Sequence, residues 1–539
     1  MHTLSVELAD EHLTPLFAER AEAHGPEVSV APVNGRYQQL LERLGEISDL
    51  GRARALLAWD ERTMMPSGGA EVRAEQLATL TRLRHERLAS DELGSLLDEL
   101  RPRAEGMPRD SIEASMVRAT TREWEKARRV PAALRAEIAR ASSLAEHAWI
   151  EARAGSNFDA FLPLLERNVE LKRRYIECFD DARHPYDPLL DDFEPEATTA
   201  EVRTVLAALR DGLRPLVAAI AEHADGVDSS CLHGPFPIDT QRELVLDLVA
   251  ELPLEADSWR LDTTVHPFAT SIGTSDIRLA IRYDESYLGT SLWSALHEAG
   301  HGIYENGIDP GLRRSPLGRP VSLGFHESQS RTWENWVGRS RAYLHRLHPR
   351  LRDAFPDRLA GVDPEHLYRA ANRVEPSLIR IEADELTYNL HIALRFELEL
   401  EIFEQRLRPA ELPEAWNART REYLGIEVPD DAHGVLQDVH WAAGSFGYFP
   451  TYSLGNVIAG QIWAVAQGSL PDLEQQLRSG ELAPLRDWLR ARLYRHGGKF
   501  NPAEMIERVC GAPLSVEPYL DQMRRKMGEI YGLGPALTS

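Results

Sequence analysis

Three residues within five positions have the types and spacing of a metal centre with an attendant carboxylate: His297, Glu298 and His301 in "SALHEAGHGIY" (294–304). An α-helix advances about 100° per residue, so His297 and His301 share a face about one turn apart and can present two imidazoles to one tetrahedral Zn2+. Glu298 sits beside the first histidine, where it can reach water rather than metal and take a proton as that water attacks a carbonyl. The same letters also fit an ordinary polar stripe with two unrelated histidines. The flanking Leu292, Trp293, Leu296, Ile303 and Tyr304 favour the metal, because they turn the pair towards an apolar interior. Gly300 is read as leaving space for the metal, and Gly307 as ending the helix.

A third protein ligand must come from elsewhere. A metzincin would need a glycine and a further histidine where this chain has Tyr304 and Gly307. A carboxylate from a following helix is the other solution. "SLGFHESQSRTWENWVGRSR" (322–341) offers Glu327 and, two turns further along, Glu334. Glu327 is preferred, because the His-Glu-Ser-Gln run gathers polar groups at a helix start that Ser322 can cap. Glu334 stays the rival. Tyr304, Glu305 and His326 lie close enough in sequence to pack around the ligands or bond to them.

Two more segments carry groups suited to a peptide. In "PSLIRIEADELTYNL" (376–390), Arg380, Asp384 and Tyr388 recur at helical spacing, as if on one face. Alone, such an Arg–Asp pair describes a surface ion pair worth about 0.2–0.5 kcal/mol. In "GVLQDVHWAAGSFGYFPTYSLGN" (434–456), Gln437, His440 and Tyr448 supply donors amid Trp441, Phe446, Phe449 and Tyr452. They can serve an oxyanion or a peptide backbone, or simply pack as an aromatic loop. His266 in "HPF" poses the same choice.

The elements that must position these groups are mostly helical. Apolar residues recur at three and four in 37–61, 161–179 and 198–222, the last opening on Thr199 as a cap. "LHIALRFELELEI" (390–402) alternates like a strand, yet its length and its Leu, Ala and Glu favour a helix buried on both sides. Period two in "LDTTVHPF" (261–268) and "DIRLAIRYD" (276–284), with "ATSIGTS" as the turn, predicts a small antiparallel sheet just before the HEAGH helix. Residues 1–36 read as an extension of uncertain order and 37–539 as a single domain, with the metal site within 260–456.

The chain has 539 residues, 43% of them hydrophobic and 27% charged, a globular balance. With 85 Asp and Glu against 61 Lys and Arg, the net charge of −24 argues against nucleic acid or an anionic membrane as partner. Three scattered cysteines imply no disulfide framework. The first residues lack a basic start before an apolar run, and no apolar run of about 18 residues follows. The expected location is the cytoplasm.

In order, "HPFATS", "DIRLAIRY", "HEAGH", "HESQS", "IRIEADELTY" and "GVLQDVHWAAGSFGYFPTY" resemble the motif series of the thermostable carboxypeptidase Taq family, over a span from about Tyr37 to the C-terminus. That resemblance implies an almost all-helical peptidase fold with a deep substrate cleft and a homodimer. It implies one Zn2+ per chain, with other divalent metals such as Co2+ able to substitute, held by His297, His301 and Glu327. It implies Glu298 as general base and acid, and a peptide substrate with a free C-terminal carboxylate. With it, Arg380 becomes the leading anchor for that carboxylate, oriented by Asp384, because a planar guanidinium pairs both oxygens. His266, Gln437, His440 and Tyr448 become candidate substrate-binding residues. One departure stands out: Ala280 occupies a position where the family's Asp-x-Arg strand motif usually has Thr, on the side that Arg278 faces. A zinc oligopeptidase of similar design and a non-catalytic peptide-binding module are the competing readings.

Overall fold

The computed structural model describes residues 35–223 and 226–534. Residues 1–34, most of the expected extension, lie outside the described residues. The architecture is mainly helical with one three-stranded sheet. Among the described residues, no helix is long and apolar enough to cross a membrane.

Helices form where apolar spacing predicts them. Gly35–Thr63 holds the 37–61 segment and buries Tyr37, Leu40, Leu44 and Ile47. Phe158–Ile176 starts earlier than the spacing suggests, because the Asn157 side chain accepts the Ala160 N–H at 3.1 Å. Thr199–Ala221 is capped by Thr198, not Thr199. The Thr198 hydroxyl accepts the Glu201 N–H, and the Glu201 carboxylate accepts the Thr198 N–H at 3.0 Å. The Thr199 hydroxyl donates instead to Asp187 at 2.6 Å. A glutamate three residues on is the signal that distinguishes the two threonines.

The alternating segment is a helix, Thr387–Phe403, and burial runs almost unbroken along it. Buried charges on it need partners. Glu399 accepts from the Tyr186 hydroxyl, from Trp441 Nε1–H at 2.8 Å and from the Gly447 N–H at 2.9 Å. The helix therefore holds the irregular stretch 425–449 in place. That stretch leads into the helix Pro450–Ser469.

The sheet lies before the HEAGH helix as expected, but its pairing is mixed. Strands β1 (Trp259–Thr263), β2 (Phe268–Gly273) and β3 (Asp276–Ile281) are ordered β1-β3-β2, with β1 parallel and β2 antiparallel to β3. The segment 261–268 is not one strand, and most of "ATSIGTS" is β2 rather than turn. Pro267 cannot donate to a ladder, so the chain breaks there and crosses to the far edge of β3. The central strand β3 buries Ile277, Leu279, Ala280 and Ile281.

The HEAGH helix, Gly289–Gly307, is wedged between this sheet and the helix Leu323–Arg331. A Cβ on Gly302 would stand 2.9 Å from Ile277 Cγ2. A Cβ on Gly300 would stand 2.6 Å from the Gln329 carbonyl oxygen and 2.7 Å from Ser330 Cα. Gly300 thus admits the neighbouring backbone, rather than making room for a metal. Gly307 stays helical and lets Tyr494 approach, and Ile308 closes the helix.

Gly300→Ala must push two backbones apart. The expected cost is about 1–3 kcal/mol of stability, read as a lower melting temperature, together with weaker metal retention because both flanking helices carry candidate ligands. Normal melting and metal content would show that the gap absorbs a methyl group.

Candidate metal centre and substrate site

The two helices bring His297, His301 and Glu327 together, with one donor atom from each within 4.8 Å of the others. Glu327 Oε2 lies 3.5 Å from His297 Nε2 and 3.6 Å from His301 Nε2. Donors bound to one tetrahedral Zn2+ at about 2.0–2.1 Å stand roughly 3.3–3.4 Å apart. The donor set therefore fits a divalent cation in both chemistry and spacing. Ser322 caps the second helix as predicted, accepting the Phe325 N–H at 3.1 Å.

Glu334, the rival ligand, lies on the other side of His297, with Oε2 2.9 Å from Nδ1. That bond places the ring proton on Nδ1 and leaves the Nε2 lone pair for a metal, the geometry of an orienting carboxylate. Glu334 can reach this far side because the helix passes into a π-helical turn, Thr332–Gly338, of a kind frequent at functional sites. Arg331 stands between the two carboxylates. Its Nε donates to Glu327 Oε1 at 2.8 Å and its Nη1 to Glu334 Oε2 at 3.1 Å. Ser330 Oγ adds a hydrogen bond to Glu327 Oε2 at 3.0 Å. Burial by itself would raise the Glu334 carboxyl, but Arg331 and the His297 hydrogen bond hold it well below the usual carboxylate range.

Glu298 is 5% exposed and has no hydrogen-bond or ion-pair partner among the described residues. Burial pushes its carboxyl up to about 7, and a bound cation would pull it back down. His326 stacks on His301, with ring centroids 4.1 Å apart, and its Nε2 lies 3.6 Å from Glu305 Oε1. Burial holds His326 down at about 4, so it is neutral. The Tyr304 hydroxyl accepts the Val321 N–H at 3.3 Å, tying the HEAGH helix to the loop before Ser322.

Arg380 is not on a helix face with Asp384 and Tyr388. It lies in a short turn, Arg380–Glu382, ahead of the helix that begins at Thr387. Asp384 accepts the Leu386 and Thr387 N–H groups at 2.9 and 3.0 Å, so it is spent on the helix start. Sequence spacing alone does not separate a helix interior from the acidic residue that precedes a helix. Arg380 is oriented by Asp438 instead, with Nη2 2.7 Å from Oδ1. The Tyr388 hydroxyl does reach Arg380 Nη1, at 2.9 Å.

The other candidates divide. Gln437 uses its amide on the backbone: Oε1 accepts the Arg380 N–H at 2.9 Å and Nε2 donates to the Leu378 carbonyl at 3.0 Å. It shapes the turn that carries Arg380 and leaves little capacity for an oxyanion. His440 Nε2 lies 3.1 Å from the Tyr452 hydroxyl, and burial lowers its pKa to about 4. Tyr448 packs 5.3 Å from both His440 and Tyr452. Burial, then the charge of Glu327, pushes its phenol up to about 12. His266 is exposed between β1 and β2 and makes no hydrogen bond or ion pair among the described residues, so nothing ties it to the others. Arg278 pairs with Asp276 at 3.0 Å and stacks 4.8 Å from the Trp59 ring, while Ala280 is fully buried opposite Phe268.

Sequence reasoning passed over Arg331, Asp438 and Arg395. Arg331 is detectable at i+4 from Glu327 and i−3 from Glu334. Arg395 is a charge in a helix expected to be buried on both sides, which demands a partner. Asp438 has no local signal.

The sequence model of the Carboxypeptidase Taq (M32) metallopeptidase family matches residues 39–527. Thermostable carboxypeptidase 1 of Thermus thermophilus is 42% identical over 509 residues, covering 92% of this chain and 99% of that protein. Carboxypeptidase 1 of Bacillus subtilis is 37% identical over 494 residues, covering 92% and 98%. The crystal structure of an M32 carboxypeptidase from Deinococcus radiodurans superposes with a TM-score of 0.89 at 40% identity, covering 93% of this chain and 100% of that one.

Replacing Glu334 by Gln or Arg331 by Met leaves all three donors in place but unpins them. Metal affinity should fall roughly 10- to 100-fold in each variant, read by competition against a chelating dye, with the helical circular dichroism retained. Unchanged affinity would restrict both residues to folding.

Proposed function

The chain belongs to the Carboxypeptidase Taq (M32) metallopeptidase family and is a metallocarboxypeptidase; from that premise we propose that it uses one Zn2+ per chain, with Glu298 as general base and acid. The observation that carries the proposal is the placing of Glu327 Oε2 3.5 and 3.6 Å from two imidazole nitrogens, with a buried carboxylate one residue from the first. His297, His301 and Glu327 would hold the ion. When bound, it supplies Lewis acidity, bringing the pKa of water towards about 7 and polarising a carbonyl. Co2+ can take the same donor set.

The chain's own residues supply the rest. Glu298 accepts the proton of the attacking water and returns it to the leaving amine, a task for which its place beside the first histidine suits it. Glu334 keeps the His297 proton on Nδ1, and Arg331 holds Glu327 in place. Arg380 pairs with the terminal carboxylate of the peptide, so cleavage falls one residue from the end. Tyr448 and His440 pack against Tyr452, whose ring stands 4.9 Å from the Arg380 guanidinium, and from there they can contact the peptide. His266 is retained as a candidate contact, while Gln437 acts by shaping the Arg380 turn. By family resemblance the enzyme is a homodimer, for which light scattering should give twice the chain mass of 60.6 kDa, and its three scattered cysteines suit the cytoplasm.

The test has two parts. Glu298→Gln keeps the shape and removes the base, so metal should stay stoichiometric while kcat falls at least about 100-fold; near-normal turnover would remove Glu298 from the chemistry. Wild-type enzyme should shorten a free-acid peptide one residue at a time from its C-terminus. Amidating that terminus should cost roughly 10- to 100-fold in kcat/KM, the loss of a charged hydrogen-bond partner.

A further inference from the structure

An arginine that binds a ligand's carboxylate must keep two of its five N–H groups for it. Arg380 is almost fully buried, and three of its N–H groups are already engaged. Nε and Nη2 donate to Asp438 Oδ1 at 3.1 and 2.7 Å, and Nη1 donates to the Tyr388 hydroxyl at 2.9 Å. Nε–H and one Nη2–H share a single edge of the planar fork, and Asp438 occupies that edge. One hydrogen remains on each of Nη1 and Nη2. The guanidinium cannot turn to offer a different pair, because the Tyr452, Tyr388 and Phe449 rings stand 4.9, 5.6 and 5.9 Å from its carbon.

Asp438 is itself held from behind. Its Oδ2 accepts from Arg395 Nε at 2.7 Å, and Arg395 Nη2 stands 2.6 Å from the same oxygen as an ion-pair contact. Arg395 is fully buried, lies 4.4 Å from the Trp416 ring, and donates through Nη1 to the His391 carbonyl at 2.7 Å. Two arginines and one aspartate leave this buried group with one surplus positive charge. A buried ionic cluster is a poor way to gain stability compared with apolar packing. A surplus charge with one open fork matches the single negative charge and two oxygens of a peptide's C-terminus.

We infer that Asp438 is the positioning residue for the terminal carboxylate: backed by Arg395, it takes the side edge of Arg380 and, with Tyr388 on one Nη1 hydrogen, leaves the remaining Nη1 and Nη2 hydrogens for substrate. The inference rests on the reading that Arg380 is the carboxylate anchor. It excludes a simpler role in which Asp438 only neutralises Arg380. Removing a neutralising charge would strengthen the pull on the substrate carboxylate, whereas removing a positioning residue misplaces the scissile bond and lowers kcat.

The experiment measures kcat and KM on a free-acid peptide and its C-amide for wild type, Asp438→Asn, Tyr388→Phe, Arg380→Ala and the double variant Asp438→Asn/Arg395→Met. The double variant keeps the buried net charge of wild type, so it stands in if Asp438→Asn alone fails to fold; metal content and circular dichroism report folding. The expected result is a fall of at least about 10-fold in the acid-to-amide ratio of kcat/KM, carried by kcat, in both Asp438 variants and in Tyr388→Phe. A purely structural role would slow acid and amide equally and leave the ratio unchanged. A neutralising role would raise the ratio in Asp438→Asn. Either outcome in the folded variants overturns the inference, and Tyr388→Phe decides alone if neither Asp438 variant folds. An unchanged ratio in Arg380→Ala would retire the anchor reading itself, whereas a collapse there with an unchanged ratio in the other variants retires only the role of Asp438.

Discussion

The burial of charge beside the HEAGH helix is the constraint on which the rest of the structure depends. Glu298, Glu327 and Glu334 are each buried within one small volume, and a buried carboxylate without compensation is costly. Arg331 lies between two of them, donating to both, and its guanidinium stacks 4.6 Å from the Tyr388 ring. Tyr388 in turn accepts from Arg380, which leans on Asp438, which leans on Arg395. A continuous chain of contacts thus runs from the candidate metal donors to Arg380, the proposed carboxylate anchor. On the proposed roles, that chain sets the distance between the place where a peptide ends and the place where it is cut.

This arrangement demands close backbone approach, and the glycines supply it. Gly300 lets the helix carrying Glu327 lie directly against the helix carrying the histidines, while Gly455 on Pro450–Ser469 admits Glu327 itself, whose Cγ would stand 2.6 Å from a Cβ there. Gly302 seats the other side of the HEAGH helix on β3. The two imidazoles are therefore presented by a helix clamped on opposite sides, which keeps the donor spacing from relaxing. Glu194 adds to the clamp by accepting the Gly324 N–H at the start of the second helix, and burial pushes its carboxyl up to about 7.

The irregular stretch 425–449 shows how a segment without regular structure can still be rigid. Glu399 binds two of its backbone and side-chain donors, and Gln437 stitches it to the turn carrying Arg380. Buried polar networks of this kind hold only when every member is satisfied. Asp438 inherits its precision from that network, not from a helix or strand of its own.

By itself, the sequence determined the elements and the chemistry that are local. Helical spacing in 37–61 and the His-x-x-x-His pair follow from the geometry of one helix, and the polar start of the next helix pointed to Glu327 over Glu334. Composition decided that 390–402 is a helix. Only the tertiary structure decided that the sheet is mixed, that Gly300 serves packing, and that Asp438 rather than Asp384 holds Arg380. The physical reason is common to these cases. Periodicity reports which face of an element is apolar, but a buried charge chooses its partner by three-dimensional proximity, and Asp438 and Arg380 meet across 58 residues of chain. Strand pairing behaves the same way, since it is settled by competition among neighbours that spacing along one segment does not rank.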